Sequence, residues 1–156
     1  MRGLKSMHYR IEKFKMKHFE NFKVRKECEA EVDFLFNNKE IQKIWVGLLA
    51  VFTLFYDDEP IMIYGMQNSG LGTYYPMVYA SEDLDKHSFA VIRCLYDYAK
   101  KFVGNDVRRL EAYVSATDEK ANRLVKFFGF EPIGFRRQAG ADGGDQVIYE
   151  RLWRKE

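Results

Sequence analysis

Large apolar and polar side chains alternate through His8-Tyr9-Arg10-Ile11-Glu12-Lys13-Phe14, the pattern of a half-buried strand. From Lys17 to Phe36 the apolar positions change to mostly helical spacing, at Phe19, Phe22, Val24, Cys28, Val32, Leu35 and Phe36, and Asn37-Asn38 follows as a loop. Lys39 to about Leu48 places Ile41, Ile44, Trp45 and Leu48 on one face, which predicts a short helix. Two β-rich runs come next, Leu49 to Tyr56 and Pro60 to Gln67, with Asp57-Asp58-Glu59 as the hairpin turn between them. The loop Asn68-Ser69-Gly70-Leu71-Gly72 leads into a third strand, Thr73 to Ala80, so the three form a meander. Pro76 cannot donate to a ladder, and its place inside that strand predicts a bulge, a splay or an edge.

Ser81 reads as the N-cap of the clearest helix, with Glu82, Asp83 and Asp85 in its first turn. Its apolar face is read as Phe89, Ile92, Leu95/Tyr96, Ala99 and Phe102/Val103, and Gly104-Asn105 as its stop. Arg109 to Ala116 is a strand. Thr117-Asp118-Glu119 caps a further helix that carries Leu124, Val125 and Phe128 to a stop at Gly129. Phe130 to Arg137 and Asp145 to Trp153 are the last strands, joined by the Gly-rich turn from Ala139 to Gly144. The resulting order is βααβββαβαββ, or the same with one helix fewer near the front.

At 156 residues the chain has the size of one domain and enough length to bury a core without metals or disulfides. Residues 1–156 are read as that domain, with 1–7 a loose extension. The 13 Phe and 10 Tyr are expected mostly in the core. The longest apolar run, Ile44 to Tyr56, is too short to span a bilayer, and Met1-Arg2-Gly3-Leu4-Lys5 precedes no apolar stretch. Cys28 and Cys94 have no metal-ligand or disulfide spacing, so no metal is expected and a reducing cytoplasm is the natural setting. A net charge of +2 gives little reason to expect nucleic acid. The basic stretch up to Lys26 reads as a solvated helix face, though phosphates or an acidic protein would also suit it.

The segment Ala121-Asn122-Arg123-Leu124-Val125-Lys126-Phe127-Phe128-Gly129-Phe130-Glu131-Pro132-Ile133-Gly134 resembles the A-x-x-L-Y-x-K-x-G-F-x-x-x-G segment of the GNAT N-acetyltransferases, and the element order resembles that family over nearly the whole chain. The resemblance implies an α/β (α+β) fold: a mixed, largely antiparallel sheet of six or seven strands flanked by about four helices. It also implies acetyl-CoA as cofactor and transfer of its acetyl group to an amine.

The family's pyrophosphate loop, [QR]-x-x-G-x-[GA], falls without gaps on Asp83, Lys86 and Ser88, and no glycine occurs between Gly72 and Gly104. The resemblance places the pantetheine arm on main-chain groups of Met77, Val78 and Tyr79 and the phosphates near Lys86 and Ser88. Asp118 and Val125 stand where many members carry an Asn that holds pantetheine and a Tyr that protonates the departing thiolate. Glu82, Glu111 or ordered water would accept the amine's proton, and Tyr113, Tyr79 and Tyr149 are candidate hydroxyl donors or else packed aromatics. His87 is read as a surface residue.

A second reading takes the glycine-free loop and Val78-Tyr79-Ala80-Ser81 as similar to phage acetyltransferase-like proteins, some associated with virion assembly. Under it the chain is a binding or assembly module without acetyl transfer, in host cytoplasm or virion. The amine acceptor, small molecule or protein, stays open under the first reading, as do a protein partner and a homodimer through the splay or the last hairpin. Phe34, Phe36, Arg136 and Arg137 are expected around the acceptor end, receiving an acidic or peptide-like substrate or only closing the sheet.

Overall fold

The computed structural model describes residues 8–48, 50–102 and 107–152. The extension at 1–7, Leu49 at the head of the second strand, Val103, the Gly104-Asn105 stop and Trp153 lie outside them. Among the described residues seven strands form one sheet in the order β1-β2-β3-β4-β5-β7-β6. They are β1 Tyr9–Lys13, β2 Ala50–Tyr56, β3 Glu59–Asn68, β4 Thr73–Ala80, β5 Arg109–Ser115, β6 Glu131–Arg136 and β7 Gln146–Leu152. Four α-helices among the described residues flank it: α1 Glu29–Phe36, α2 Lys39–Leu48, α3 Ser88–Phe102 and α4 Glu119–Phe127. No described helix is long and apolar enough to cross a membrane.

Every pairing is antiparallel except β4 with β5. The β2–β3 turn puts Asp57 at φ 46° and Asp58 at φ 70°, the left-handed pair of a two-residue hairpin whose twist suits the strands. Gly65 lets β3 approach β2 closely: a Cβ there would lie 2.9 Å from Val51 Cγ2 and 3.0 Å from the Ala50 carbonyl oxygen.

The sheet carries a separate apolar cluster on each face. On one, Phe14, Phe19, Phe22, Cys28, Val32 and Leu35 pack with Val51 and Ile63, and Met77 and Tyr79 of β4 lean on them. On the other, Val91, Cys94 and Tyr98 of α3 pack with Leu54, Ile61, Met62 and Tyr64, joined by Val78. Successive β4 side chains thus enter opposite layers.

Several expectations are corrected. Residues 17–28 are not helical: they hold two short 3-10 turns, Met16–Phe19 and Lys26–Cys28, and Val24 bridges Ser81 in antiparallel fashion. The apolar positions there are buried as expected, but the main chain of Lys23 and Arg25 is taken by β4's end, which overrides helical spacing. The basic stretch is therefore not a solvated helix face, and Arg25 sits half-buried within it.

Ser81 does not cap α3, which begins at Ser88 after a 3-10 turn, Leu84–His87. The Ser81 amide donates to the Ile61 carbonyl, prolonging the strand, and its Oγ accepts from the Asp83 amide. Finally, α3 buries Val91, Cys94 and Tyr98 rather than the face through Phe89, leaving Phe89 and Tyr96 exposed. Phe34, Phe36, Phe127 and Phe135 are exposed too, so fewer rings enter the core than expected.

Candidate functional site

The site begins where the sheet divides. β4 and β5 pair only at Thr73↔Arg109 and Tyr74↔Leu110, then part. Farther along β4, the Arg25 amide donates to the Ala80 carbonyl and the Glu82 amide to the Lys23 carbonyl, both on the side that β5 has left. Because main-chain groups alternate sides along a strand, this phase turns Pro76, Val78 and Ala80 toward the splay. Pro76 occupies a position where its missing N–H costs no ladder bond with β3, which settles the expectation in favour of a splay.

A cavity of about 1030 Å³ fills the splay and reaches both layers of the sheet. Toward α1 it is walled by Glu31, Phe34, Tyr75, Tyr79, Tyr113 and Arg136. Toward α3 it is walled by Leu84, Asp85, Ser88, Val91 and Ile92, with Lys120 and Arg123 of α4 near the opening.

Ion pairs concentrate where α3 and α4 begin. Arg25 Nη2 lies 2.8 Å from Asp118 Oδ1, with both side chains largely buried. Asp118 also caps α4 by accepting from the Ala121 amide, as the Thr117-Asp118-Glu119 pattern predicts. Burial pulls the Arg25 guanidinium down, but its bond to Asp118 outweighs this and holds it above the ordinary arginine value. Lys120 pairs with Asp85 across the opening, and Lys86 with Asp83 at 3.0 Å; each lysine depresses its partner's carboxyl.

The α1 layer differs. Glu31 is half-buried on α1 and accepts a hydrogen bond from the Tyr79 hydroxyl. Burial pushes its carboxyl above the usual range, and the charges that bear on it, Asp142 and Asp118, are acids that push the same way. Tyr79 is raised as well, first by burial and then by Glu31. Tyr113 donates to Glu111, stacks on Tyr75 with ring centres 6.1 Å apart, and lies under the Arg136 guanidinium at 4.4 Å. Burial, then the bond to Glu111, pushes the Tyr113 hydroxyl up to about 12.

Of the residues named from sequence, Met77, Val78, Tyr79, Ser88, Glu82 and Tyr113 line the cavity. Lys86 stands outside its wall with a largely exposed side chain. Glu111 is tied to Arg109 at 2.8 Å and lies outside the lining, and Tyr149 is buried with its hydroxyl 2.5 Å from Asn122 Oδ1. His87 meets Tyr9, whose hydroxyl is 2.8 Å from its Nδ1. Glu31 was not found from sequence. A signal existed: it lies three residues after buried Cys28 and four before buried Leu35, on the inward side of α1.

No protein-family model matches the sequence, and no curated protein matches it significantly. Solved structures do. The ribosomal-protein-S18-alanine N-acetyltransferase from Escherichia coli superposes with a TM-score of 0.63 at 18% identity, over 93% of each chain. A GNAT family acetyltransferase from Elizabethkingia anophelis with acetyl-CoA bound gives 0.65 at 12% identity, over 94% of this chain and 99% of the other. Ard1 from Thermoplasma volcanium gives 0.67 at 10%, over 95% and 99%. The fold is that of the GNAT acetyltransferases. The cavity where β4 parts from β5, with the β4 edge it exposes, is the candidate functional site of this chain.

Proposed function

We propose that the chain is an acetyl-CoA-dependent N-acetyltransferase working across the β4–β5 splay. The observation that carries this is the cavity itself, open to both layers, with β4 main chain turned into it at Pro76 and Val78, while Ala80 is bonded to Arg25. Such an edge suits the amide-bearing arm of acetyl-CoA, which pairs with main chain regardless of side-chain identity. When bound, the cofactor would supply an activated acetyl thioester. The chain's part is to align that arm through the Val78 N–H and C=O, to accept the phosphate end near Ser88 and Lys120, and to keep water from the α1 layer with Phe34, Tyr75 and Tyr113.

The phosphate end fits less well. Glu82, Asp83 and Asp85 stand at the start of α3, and the lysines beside them are already paired. This favours a second reading, a GNAT-fold binding or assembly module that transfers nothing. The comparisons add no support to a phage or virion setting for it.

Calorimetry with acetyl-CoA separates the two. Micromolar binding is expected, weakened at least tenfold by Val78→Pro, which removes one amide facing the splay while sparing the β3 ladder. Lys86→Glu is expected to weaken it less, through the phosphates. No binding at millimolar cofactor would overturn the transferase reading and leave the module.

A further inference from the structure

Of the acids that line this cavity, Glu27, Asp85 and Asp118 each hold a cation within ion-pair distance, and Glu82 is exposed to solvent. Glu31 holds no cation: among the described residues it has the Tyr79 hydroxyl as partner and no lysine, arginine or histidine beside it. Two arginines that line the same cavity are engaged elsewhere: Arg25 is paired with Asp118 and Glu27, and Arg136 is held over the Tyr113 ring. The groups that face Glu31 are Tyr79 of β4, Cys28 one turn earlier, Asp118 before α4 and Asp142 of the β6–β7 turn. All are neutral or acidic. A carboxylate kept this way, half out of water and lining a cavity, carries an electrostatic cost that either a proton or a cation from outside relieves.

We infer that Glu31 receives the ammonium of the acceptor and accepts its proton, with Tyr79 holding the carboxylate in place and Phe34, Tyr75 and Tyr113 lining the path of the acceptor's stem. In that step one N–H bond breaks and one O–H bond forms: carboxylate and alkylammonium become carboxylic acid and neutral amine. The amine lone pair is then free for an acyl carbon. Tyr79 keeps its own proton throughout, and its hydrogen bond fixes which carboxylate oxygen stays open to the amine. A raised carboxyl is a better proton acceptor than an ordinary one because its proton affinity lies closer to that of an amine. Ring faces of the aromatic walls also suit a cation in transit. The acceptor class is therefore a primary amine on an apolar or flat stem, entering from the α1 side. This rests on the transferase reading for its second substrate, but the ammonium site does not need that reading to exist.

The test is carbon-detected NMR on protein labelled at glutamate Cδ, with the Glu31 resonance assigned by Glu31→Gln and n-butylammonium as the probe. The expected result is a saturable shift of the Glu31 signal on adding n-butylammonium, no shift with n-butanol, and a titration midpoint for Glu31 that falls when the amine is present. Glu31→Gln should lose amine binding at least tenfold while its thermal midpoint does not fall. A Glu31 signal that ignores the amine, or responds equally to n-butanol, overturns the inference. Acetyl-CoA calorimetry on the same sample keeps the two ideas apart. Cofactor binding without an amine response sinks the Glu31 site alone, and an amine response without cofactor binding sinks the transferase reading alone.

Discussion

Two ends of one cavity treat negative charge in opposite ways. Where α3 and α4 begin, Asp83, Asp85 and Asp118 are matched by Lys86, Lys120 and Arg25. In the α1 layer Glu31 has a phenol hydroxyl and, among the described residues, no such match. A fold with nothing to bind would be expected to neutralise both ends or to place a nonpolar residue at the second. Leaving one carboxylate uncompensated in a chamber walled by aromatic rings is a local cost of the kind that functional sites carry. The difference marks the α1 layer as the end that awaits a cation, and the other as an end already closed on itself.

The largest effect should come from making the closed end resemble the open one. Arg25→Met leaves Asp118 buried without its cation, and removing one partner of such a pair is expected to cost about 3 kcal/mol. Urea unfolding at neutral pH reads this directly. Adding Asp118→Asn should recover most of the loss, since the amide oxygen still caps α4 and no lone charge remains. If Arg25→Met costs nothing, the pairing carries no weight and the contrast with Glu31 loses its meaning.

The reverse experiment removes charge from the open end. Because the folded carboxyl of Glu31 is raised above its ordinary 4.5, the folded state binds more protons than the unfolded state once pH exceeds that value. Stability therefore falls as pH rises from about 4.5 through the folded value and is level beyond it. Glu31→Gln removes that loss, so its thermal midpoint at neutral pH should rise, by roughly 2–4 °C for each kcal/mol relieved.

His18, buried in the same layer with Nδ1 2.8 Å from Thr53 Oγ1, runs the other way. Burial lowers it below its ordinary 6.5, against a smaller upward pull from Glu12 and further downward ones from Lys17, Lys15 and Arg10. The stability it lends is present above 6.5 and declines as pH falls below that. His18→Gln should flatten the acid side of the profile and Glu31→Gln the side above 4.5. Parallel melts across pH check both.

Much of this frame was legible in the chain. The Asp57-Asp58 turn, the meander it opens and the Asp118 cap with its stop at Gly129 are all local signals, and the last has φ of +82°, which glycine adopts freely. Pro76 pointed to a bulge, a splay or an edge, because a missing donor is tolerated only there, and the short β4–β5 pairing decides for the splay. What could not be read was decided by distant partners. Val24 and Arg25 look helical until Ser81 and Ala80 claim their main chain. Ser81 looks like a cap until Ile61 extends the strand through it. The spacing of Glu31 from Cys28 and Leu35 puts it on the inward side of α1, but that it meets Tyr79 depends on how α1 packs over β4.

The smallest effect sharpens the comparison most. The Lys120–Asp85 pair is more than half exposed on each side, so Lys120→Ala should change stability by less than about 1 kcal/mol. Its effect on function should be out of proportion to that. If the opening between α3 and α4 admits phosphates, removing Lys120 deletes a cation and frees Asp85 to repel them, and acetyl-CoA affinity should fall several-fold with a shallower salt dependence. Asp85→Asn, which frees Lys120 instead, should raise the affinity. Calorimetry at two ionic strengths distinguishes this from a purely structural strap, for which both variants would leave binding unchanged. Opposite responses to the two substitutions would mean that the closed end is closed only until a stronger anion arrives.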